Sequence, residues 1–323
     1  MSESPAIPAP IAVEDLPPGE RVVTIGTFDG VHRGHRRLLD QAVRRGHELD
    51  LPVTGVTFEP VPAAVLRPEA FSGRISTPEE KLEHLAASGL DEVVVVPFTR
   101  NTAALSPESF VGRLVELAGL RLLVVGEDFA LGRGRAGDVA RLREIGAREE
   151  MAFAVEAIGR IGLGPEPLSS TAIRTAVREG NVATARHLLG RSFRISGEVI
   201  HGKKLGRTIG FPTANVVPPA DLVPLADGIY ASWAWLPGDA APRPAITYVG
   251  NRPTVNSGAR LVETHLLDFD GDLYGQELTV DLLERLRPDA EFPSLDALIA
   301  QMRTDEAAAR VVLAREGAVA VAS

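Results

Sequence analysis

The sequence predicts an α/β protein in two parts: a parallel sheet covered by helices, then an antiparallel β part followed by a C-terminal helix. Three observations predict it. The chain has 323 residues, long for one hydrophobic core and suited to two domains. Its first half alternates short apolar runs with helical runs, the signature of βαβ units covered on both faces. From Ser192 to about Leu286, short β-type runs are separated by Gly, Pro, Asn and Asp, a spacing that suits an antiparallel barrel or sandwich.

Taken in order, residues 1–20 (MSESPAIPAPIAVEDLPPGE) have no basic n-region and no continuous apolar stretch, so they read as a flexible leader and not as a secretory signal. The buried strands of the first domain (21–187) are RVVTIG at 21–26, PVTGVTF at 52–58, DEVVVVPF at 91–98 and LRLLVVGE at 120–127. Helical runs lie between them at 34–49, 77–89 and 106–119. In the second of these, Thr77 stands three residues before Glu80 and predicts a capping box, with Pro78 at the first helical position. A helical stretch at 168–191, LSSTAIRTAVREGNVATARHLLGR, leads into the second domain (188–323). Its β-type runs are FRISGEVI, DGIYASWAWL, PAITYVG, RLVETHLLDF and QELTVDLLERL, and the tail at 294–316 predicts a helix that caps it.

Composition excludes several classes. Hydrophobic residues make up 45% and charged residues 24%, as in a globular protein, and no apolar run approaches the roughly 18 residues of a membrane span. Cysteine is absent, which excludes disulfides and thiolate metal sites and suits a reducing, cytoplasmic setting. The net charge of -9 has the wrong sign for a chain that wraps nucleic acid. The expected partners are therefore small anionic molecules, with no nucleic acid and no membrane; oligomeric state stays open.

The densest chemistry is GTFDGVHRGH at 26–35, which follows the first strand and opens the first helix. In an α/β sheet, ligands bind at the carboxyl ends of strands. Gly26 and Gly30 let backbone approach a ligand closely, and His32 and His35, three apart at a helix start, point to nearly one place. Helix amides there favour an anion, and two imidazole donors can stabilise charge on phosphoryl oxygens. The same residues also read as a turn with a capping histidine. GEDFALGRGRAGD at 126–138 brings Arg133 and Arg135 to the same sheet edge, and LSSTAIR at 168–174 brings hydroxyls and Arg174. Neither a Walker A loop nor a full dinucleotide glycine fingerprint is present.

In the second half, GEVIHGKKLGRTIGFPTANV at 197–216 suits either an amide nest around phosphate or a basic hairpin. Thr213 and Asn215 alternate onto one side of an extended segment, and hard oxygen donors of that kind suit Mg²⁺ completed by phosphates and water. In RLVETHLLDF, Glu263 and His265 share one strand face. An acid among apolar neighbours at a barrel mouth can act as general base toward an alcohol; a solvent-facing carboxylate is the plainer alternative.

GTFDGVHRGH, TFEPVP, VVGEDFALG and LSSTAIR, in that order, closely resemble the nucleotidylyltransferase half of the prokaryotic bifunctional riboflavin kinase/FAD synthetase family. The resemblance implies a Rossmann-like domain that transfers AMP from ATP to FMN and releases pyrophosphate. It implies that His32 and His35 contact ATP phosphates and, with Arg174, carry the chemistry. It places Gly26, Phe28, Gly30, Asp128, Ser169 and Ser170 on the nucleotide, and Phe58 and Pro60 on the flavin.

GRTIGFPTAN, DGIY, ITYVGNRPTV, VETHLLDFDGDLYG and LRPDAEFPSLDALIAQMRTD resemble the flavokinase module of the same family. That likeness implies a six-stranded antiparallel barrel with a C-terminal helix, phosphorylating riboflavin with MgATP. It assigns Glu263 to the catalytic base, Thr213 and Asn215 to Mg²⁺, Gly202, Lys203, Gly206, Arg207 and Tyr230 to the nucleotide, and Arg287 to the flavin. The implied cofactor is Mg²⁺, with ATP as co-substrate and riboflavin, FMN and FAD as substrate and products. Two positions depart from the family pattern: Val61 where TFEPHP has histidine, and Leu131 where an aromatic precedes the glycine of GEDFxFG. They raise an alternative in which the chain is a riboflavin kinase only, with the first domain impaired or turned to another substrate. A flavin- or nucleotide-binding sensor without turnover is a third reading.

Overall fold

The computed structural model describes residues 12–159, 168–202, 206, 209–251 and 260–322. The chain divides into two compact units, Met1–Ser170 and Thr171–Ser323.

The first unit is built on a parallel sheet of β1 (Arg21–Ile25), β2 (Val53–Glu59), β3 (Glu92–Pro97), β4 (Leu120–Gly126) and the later β7 (Ala154–Ile158), in the order β3-β2-β1-β4-β7. A short hairpin, β5 (Ala130–Leu131) with β6 (Gly137–Asp138), lies between β4 and β7 in the chain. The helices are α1 (Arg33–Leu49), α2 (Pro62–Leu66), α3 (Pro78–Ala86), α4 (Arg100–Ala104), α5 (Pro107–Ala118) and α6 (Val139–Gly146).

Successive residues of β1 point to opposite faces, as the period of two requires. Val22 joins Leu39, Ala42 and Leu85 from α1 and α3 in one core cluster. Val23 and Ile25 join Phe110, Val111, Leu114, Leu142 and Ile145 from α5 and α6 in the other. Each face of the sheet thus has its own core, which is why these strands read as continuous apolar runs. The order reverses at β1, with β2 on one side and β4 on the other, so a crevice opens at their carboxyl ends.

Local signals behave as their chemistry dictates. Thr77 Oγ1 accepts from the Glu80 N–H at 3.2 Å and Glu80 Oε2 accepts from the Thr77 N–H at 3.0 Å, the capping box read from the sequence. Arg21 is 1% exposed and pairs with Glu92 at the end of the sheet remote from the crevice. Removing one partner of such a buried pair costs about 3–5 kcal/mol, because the other charge is left uncompensated.

The second unit begins with α7 (Ser170–Arg178), whose first residue belongs to the first unit, and α8 (Val182–Leu189). A closed antiparallel barrel follows: β8 (Phe193–Ile200), β9 (Ala214–Val216), β10 (Gly228–Trp235), β11 (Arg243–Asn251), β12 (Arg260–Leu266) and β13 (Glu277–Arg287), in the order β10-β11-β12-β9-β8-β13. Pairing of β13 with β10 closes it, which settles barrel over sandwich. Its interior holds a hydroxyl chain across three strands, Ser232 to Thr247 at 2.8 Å and Thr247 to Thr264 at 3.1 Å, all fully buried. The C-terminal helix α9 (Leu295–Ala322) covers the outer wall, packing Ala309, Val312 and Leu313 on Ala231 and Leu283.

Candidate functional site

In the first unit, β1 ends at Ile25 and the chain turns through Gly26–Val31 into α1. Phe28 and Val31 both take positive φ, 49° and 35°, while their side chains are fully buried. That costly backbone is held by specific bonds. The buried Asp29 Oδ1 accepts from the Ile75 N–H at 2.9 Å, and the Gly30 N–H donates to Ser76 Oγ at 3.2 Å. Thr57 Oγ1 donates to the Thr27 carbonyl at 3.1 Å, and Ser170 Oγ to the Asp29 carbonyl at 3.4 Å. Gly26 is needed where it stands: a Cβ there would lie 2.9 Å from the Phe28 ring.

His32 is the N-cap of α1, its Nδ1 accepting from the His35 N–H at 3.3 Å. The two imidazoles stack with centroids 3.6 Å apart and planes at 17°, and Phe28 meets His35 edge-on at 5.3 Å. The capping and the convergent-histidine readings therefore describe one arrangement: the cap bond fixes His32, and the stack carries His35 with it.

The other candidates named for the first domain stand on different segments of the chain. Asp128 is exposed on the loop after β4, with its carbonyl accepting from Arg135 Nη2 at 3.0 Å. Ser169 is half-buried just before α7, and Arg174 lies further along α7 in the second unit. Phe58 is a core residue, edge-on to Phe98 at 5.6 Å, whereas Pro60 is exposed. Sequence reasoning missed a charged cluster at the end of β2. Glu59 binds Lys81 Nζ at 2.5 Å and Arg74 Nη2 at 2.7 Å, and Lys81 also donates to the Phe58 carbonyl at 2.9 Å. Burial pushes the Lys81 ammonium below the usual lysine range, against the pull of Glu59. Its signal was present: Lys81 stands four residues before Leu85, on the buried stripe of α3.

In the second unit a cleft of about 490 Å³ lies over the outer barrel wall, lined by both Thr213 and Asn215, by Glu263 and His265, and by Arg287. Glu263 pairs directly with Asn215 of β9 on one side and Tyr248 of β11 on the other. Tyr230, Thr247 and Thr264 stand opposite one another on the alternate pleat and fill the interior, all fully buried. Glu263 consequently stands on the outer wall and not at the barrel mouth, a correction that the pleat enforces. His265 Nδ1 is 2.7 Å from the Pro212 carbonyl.

Gly202 and Gly206 line the cleft, and a Cβ on Gly202 would meet the Asn215 amide at 2.5 Å. Lys203 and Arg207 lie outside the described residues. Tyr230 does not line the cleft. Its hydroxyl donates to the Ala226 carbonyl at 2.7 Å, and burial pushes its pKa up to about 12. Leu298 and Met302 of α9 form the apolar side of the cleft with Ile229 and Leu261. Arg287 gives Nε and Nη2 to the two oxygens of Asp305, at 2.8 to 3.1 Å, and stacks over Phe292 at 5.4 Å.

Two family models match the chain, FAD synthetase over residues 16–172 and riboflavin kinase over residues 189–313. The bifunctional riboflavin kinase/FMN adenylyltransferase of Escherichia coli (strain K12) is 42% identical over 90% of this chain and 91% of its own. The protein of that description from Pseudomonas fluorescens is 40% identical over 91% and 93%. The chain belongs to the bifunctional riboflavin kinase/FMN adenylyltransferase family.

A crystal structure described as a macrolide-efflux protein from Streptococcus pneumoniae has 30% identity and a TM-score of 0.84, covering 94% of this chain and 98% of that one. Among the described residues here, no helix is long and apolar enough to cross a membrane. As a bifunctional riboflavin kinase/FMN adenylyltransferase, the chain carries both catalytic domains, and nothing in these likenesses favours a kinase alone. The two departures from the family pattern are packing residues. Val61 precedes α2 with 3% exposure, and Leu131 is 8% exposed within the core cluster under α5 and α6.

Proposed function

We propose that phosphoryl transfer is carried by the outer-wall cleft of the barrel, with Glu263 as the base, and adenylyl transfer by the His32–His35 pair. The observation that carries the first assignment is the direct cross-strand pairing of Glu263 with Asn215. Glu263 takes the proton of the terminal ribityl hydroxyl as that oxygen attacks the γ-phosphorus of ATP, and ADP leaves. In the first unit a phosphate oxygen of FMN attacks the α-phosphorus of a second ATP and pyrophosphate leaves. There the imidazoles hold negative charge that grows on the phosphate oxygens. Gly26, Phe28, Gly30, Asp128, Ser169 and Ser170 complete that nucleotide site in this reading. No covalent enzyme intermediate is required in either step.

The donor set suits Mg²⁺ brought by the nucleotide. Thr213 and Asn215 offer two neutral oxygens to the cleft, and among the described residues no group of three His, Cys, Asp or Glu is placed to cage a metal. Mg²⁺ keeps waters and substrate phosphates as ligands, and when bound it neutralises phosphate charge. Leu298, Met302 and Leu261 supply the apolar surface for the flavin rings, at the Arg287 end. The enzyme meets riboflavin and ATP in the cytoplasm, a proposal that cell fractionation tests.

A time course with riboflavin and MgATP, separating riboflavin, FMN and FAD, tests the assignment. Glu263→Gln is expected to lower FMN formation by about a hundredfold or more while FAD formation from added FMN persists. Unchanged FMN formation refutes the base.

A further inference from the structure

We infer that Asp305, on the C-terminal helix, is a positioning residue for riboflavin, acting through Arg287. The inference rests on the reading that the flavin occupies this end of the cleft.

Arg287 closes β13 and starts the segment that walls the cleft. Its Nε and Nη2 are committed to both oxygens of Asp305, and its Nη1 donates to the Pro288 carbonyl at 3.0 Å. Its guanidinium carbon lies over the Phe292 ring, 5.4 Å from the ring centre. Asp305 is itself only 5% exposed and is gripped from a third side by Gln301 Nε2 at 2.9 Å. A second tie fixes the same wall, because Tyr248, the cross-strand neighbour of Glu263, donates its hydroxyl to Asp289 at 3.0 Å.

Two consequences follow. The bidentate fork sets the plane of the guanidinium, which a single-point ammonium cannot do. The charge of Arg287 is also matched by a buried carboxylate, so what it offers a ligand is N–H edges and a flat cationic face, not an uncompensated charge. Such a group suits the neutral carbonyls of an isoalloxazine ring better than a phosphate. Asp305 decides that geometry without being required at the reacting atoms, which lie by Glu263.

The test measures riboflavin KM, ATP KM and kcat of the kinase reaction for Asp305→Asn, Asp305→Glu and Arg287→Lys in the full chain, with FAD formation from added FMN as the control for folding. Asp305→Asn and Arg287→Lys are expected to raise riboflavin KM by about tenfold or more, with ATP KM and kcat within about threefold and the control unchanged. Asp305→Glu, which keeps two oxygens and the charge, is expected to recover most of the loss. Riboflavin KM unchanged in Asp305→Asn, or equal damage to ATP KM and kcat, overturns the inference. Leu298→Trp separates it from the underlying reading. If filling the cleft raises riboflavin KM while Asp305→Asn does not, only the role of Asp305 fails; if neither changes it, the flavin is not in this cleft.

Discussion

Glu263 and Asn215 face each other across the β12–β9 pair on the outer barrel wall, the one a candidate proton acceptor and the other a candidate oxygen ligand for the nucleotide's cation. Side chains directly opposite in an antiparallel pair have Cβ atoms about 4.5–5.5 Å apart, close enough for base and phosphate to be held together.

Gly202 packs against that Asn215 amide, and the space of a single methyl is missing. Gly202→Ala is expected to displace the amide and lower kinase kcat by about tenfold, a loss of position rather than of stability. Thermal unfolding and steady-state rates separate the two effects; an unaltered kinase rate counts against Asn215 as a ligand.

His32 is both cap and candidate catalyst, and one substitution divides these roles. Asparagine is among the best N-cap residues, so His32→Asn is expected to keep α1 stable to within about 0.5 kcal/mol. FAD formation from FMN and ATP is expected to fall by about a hundredfold or more. Retained FAD formation leaves His32 as a cap alone.

Tyr230 is buried with its hydroxyl on Ala226, and its pKa is raised from 10.0 to about 12. A raised folded-state pKa gives stability that is present below pH 10 and lost as the pH climbs toward 12, because the unfolded chain releases the proton first. Tyr230→Phe is expected to be less stable than wild type near neutral pH by about 1 kcal/mol, with the gap narrowing over that alkaline window. Denaturant unfolding at several pH values measures it. Since Tyr230 does not line the cleft, ATP KM is expected to stay within about twofold of wild type, in contrast to the nucleotide contact that the resemblance implies.

Gly119 ends α5 with φ of 58°, and a Cβ there would lie 2.0 Å from the Gly19 carbonyl oxygen. Gly119→Ala is expected to cost about 2–4 kcal/mol, through both the left-handed backbone and the contact. Calorimetry or urea unfolding of the full chain checks it.

Much of the fold was legible because burial imposes a period on a sequence. β1 to β4 are covered on both faces and read as unbroken apolar runs, and the Thr77–Glu80 box announced α3. The fifth strand, β7, was missed because it lies at the sheet edge with none of its residues fully buried. Within the sites, glycines, histidines and the alternating Thr213–Asn215 pair were legible as local patterns. Asp29, Lys81 and Asp305 were not read, since each gains its meaning from partners far away in the chain: Ile75, Glu59 and Arg287.

By itself the sequence determined the two-part architecture, the strand-to-helix loop that carries His32 and His35, and the strand face shared by Glu263 and His265. These depend on local periodicity and backbone chemistry, which neighbouring residues specify. The tertiary structure alone decided that Glu263 stands on the outer wall opposite Asn215, that Tyr230 fills the interior, and that Arg287 is locked by Asp305. Each is a question of which strand or helix comes to lie beside which, and that is set by barrel closure and packing, not by neighbours in the chain.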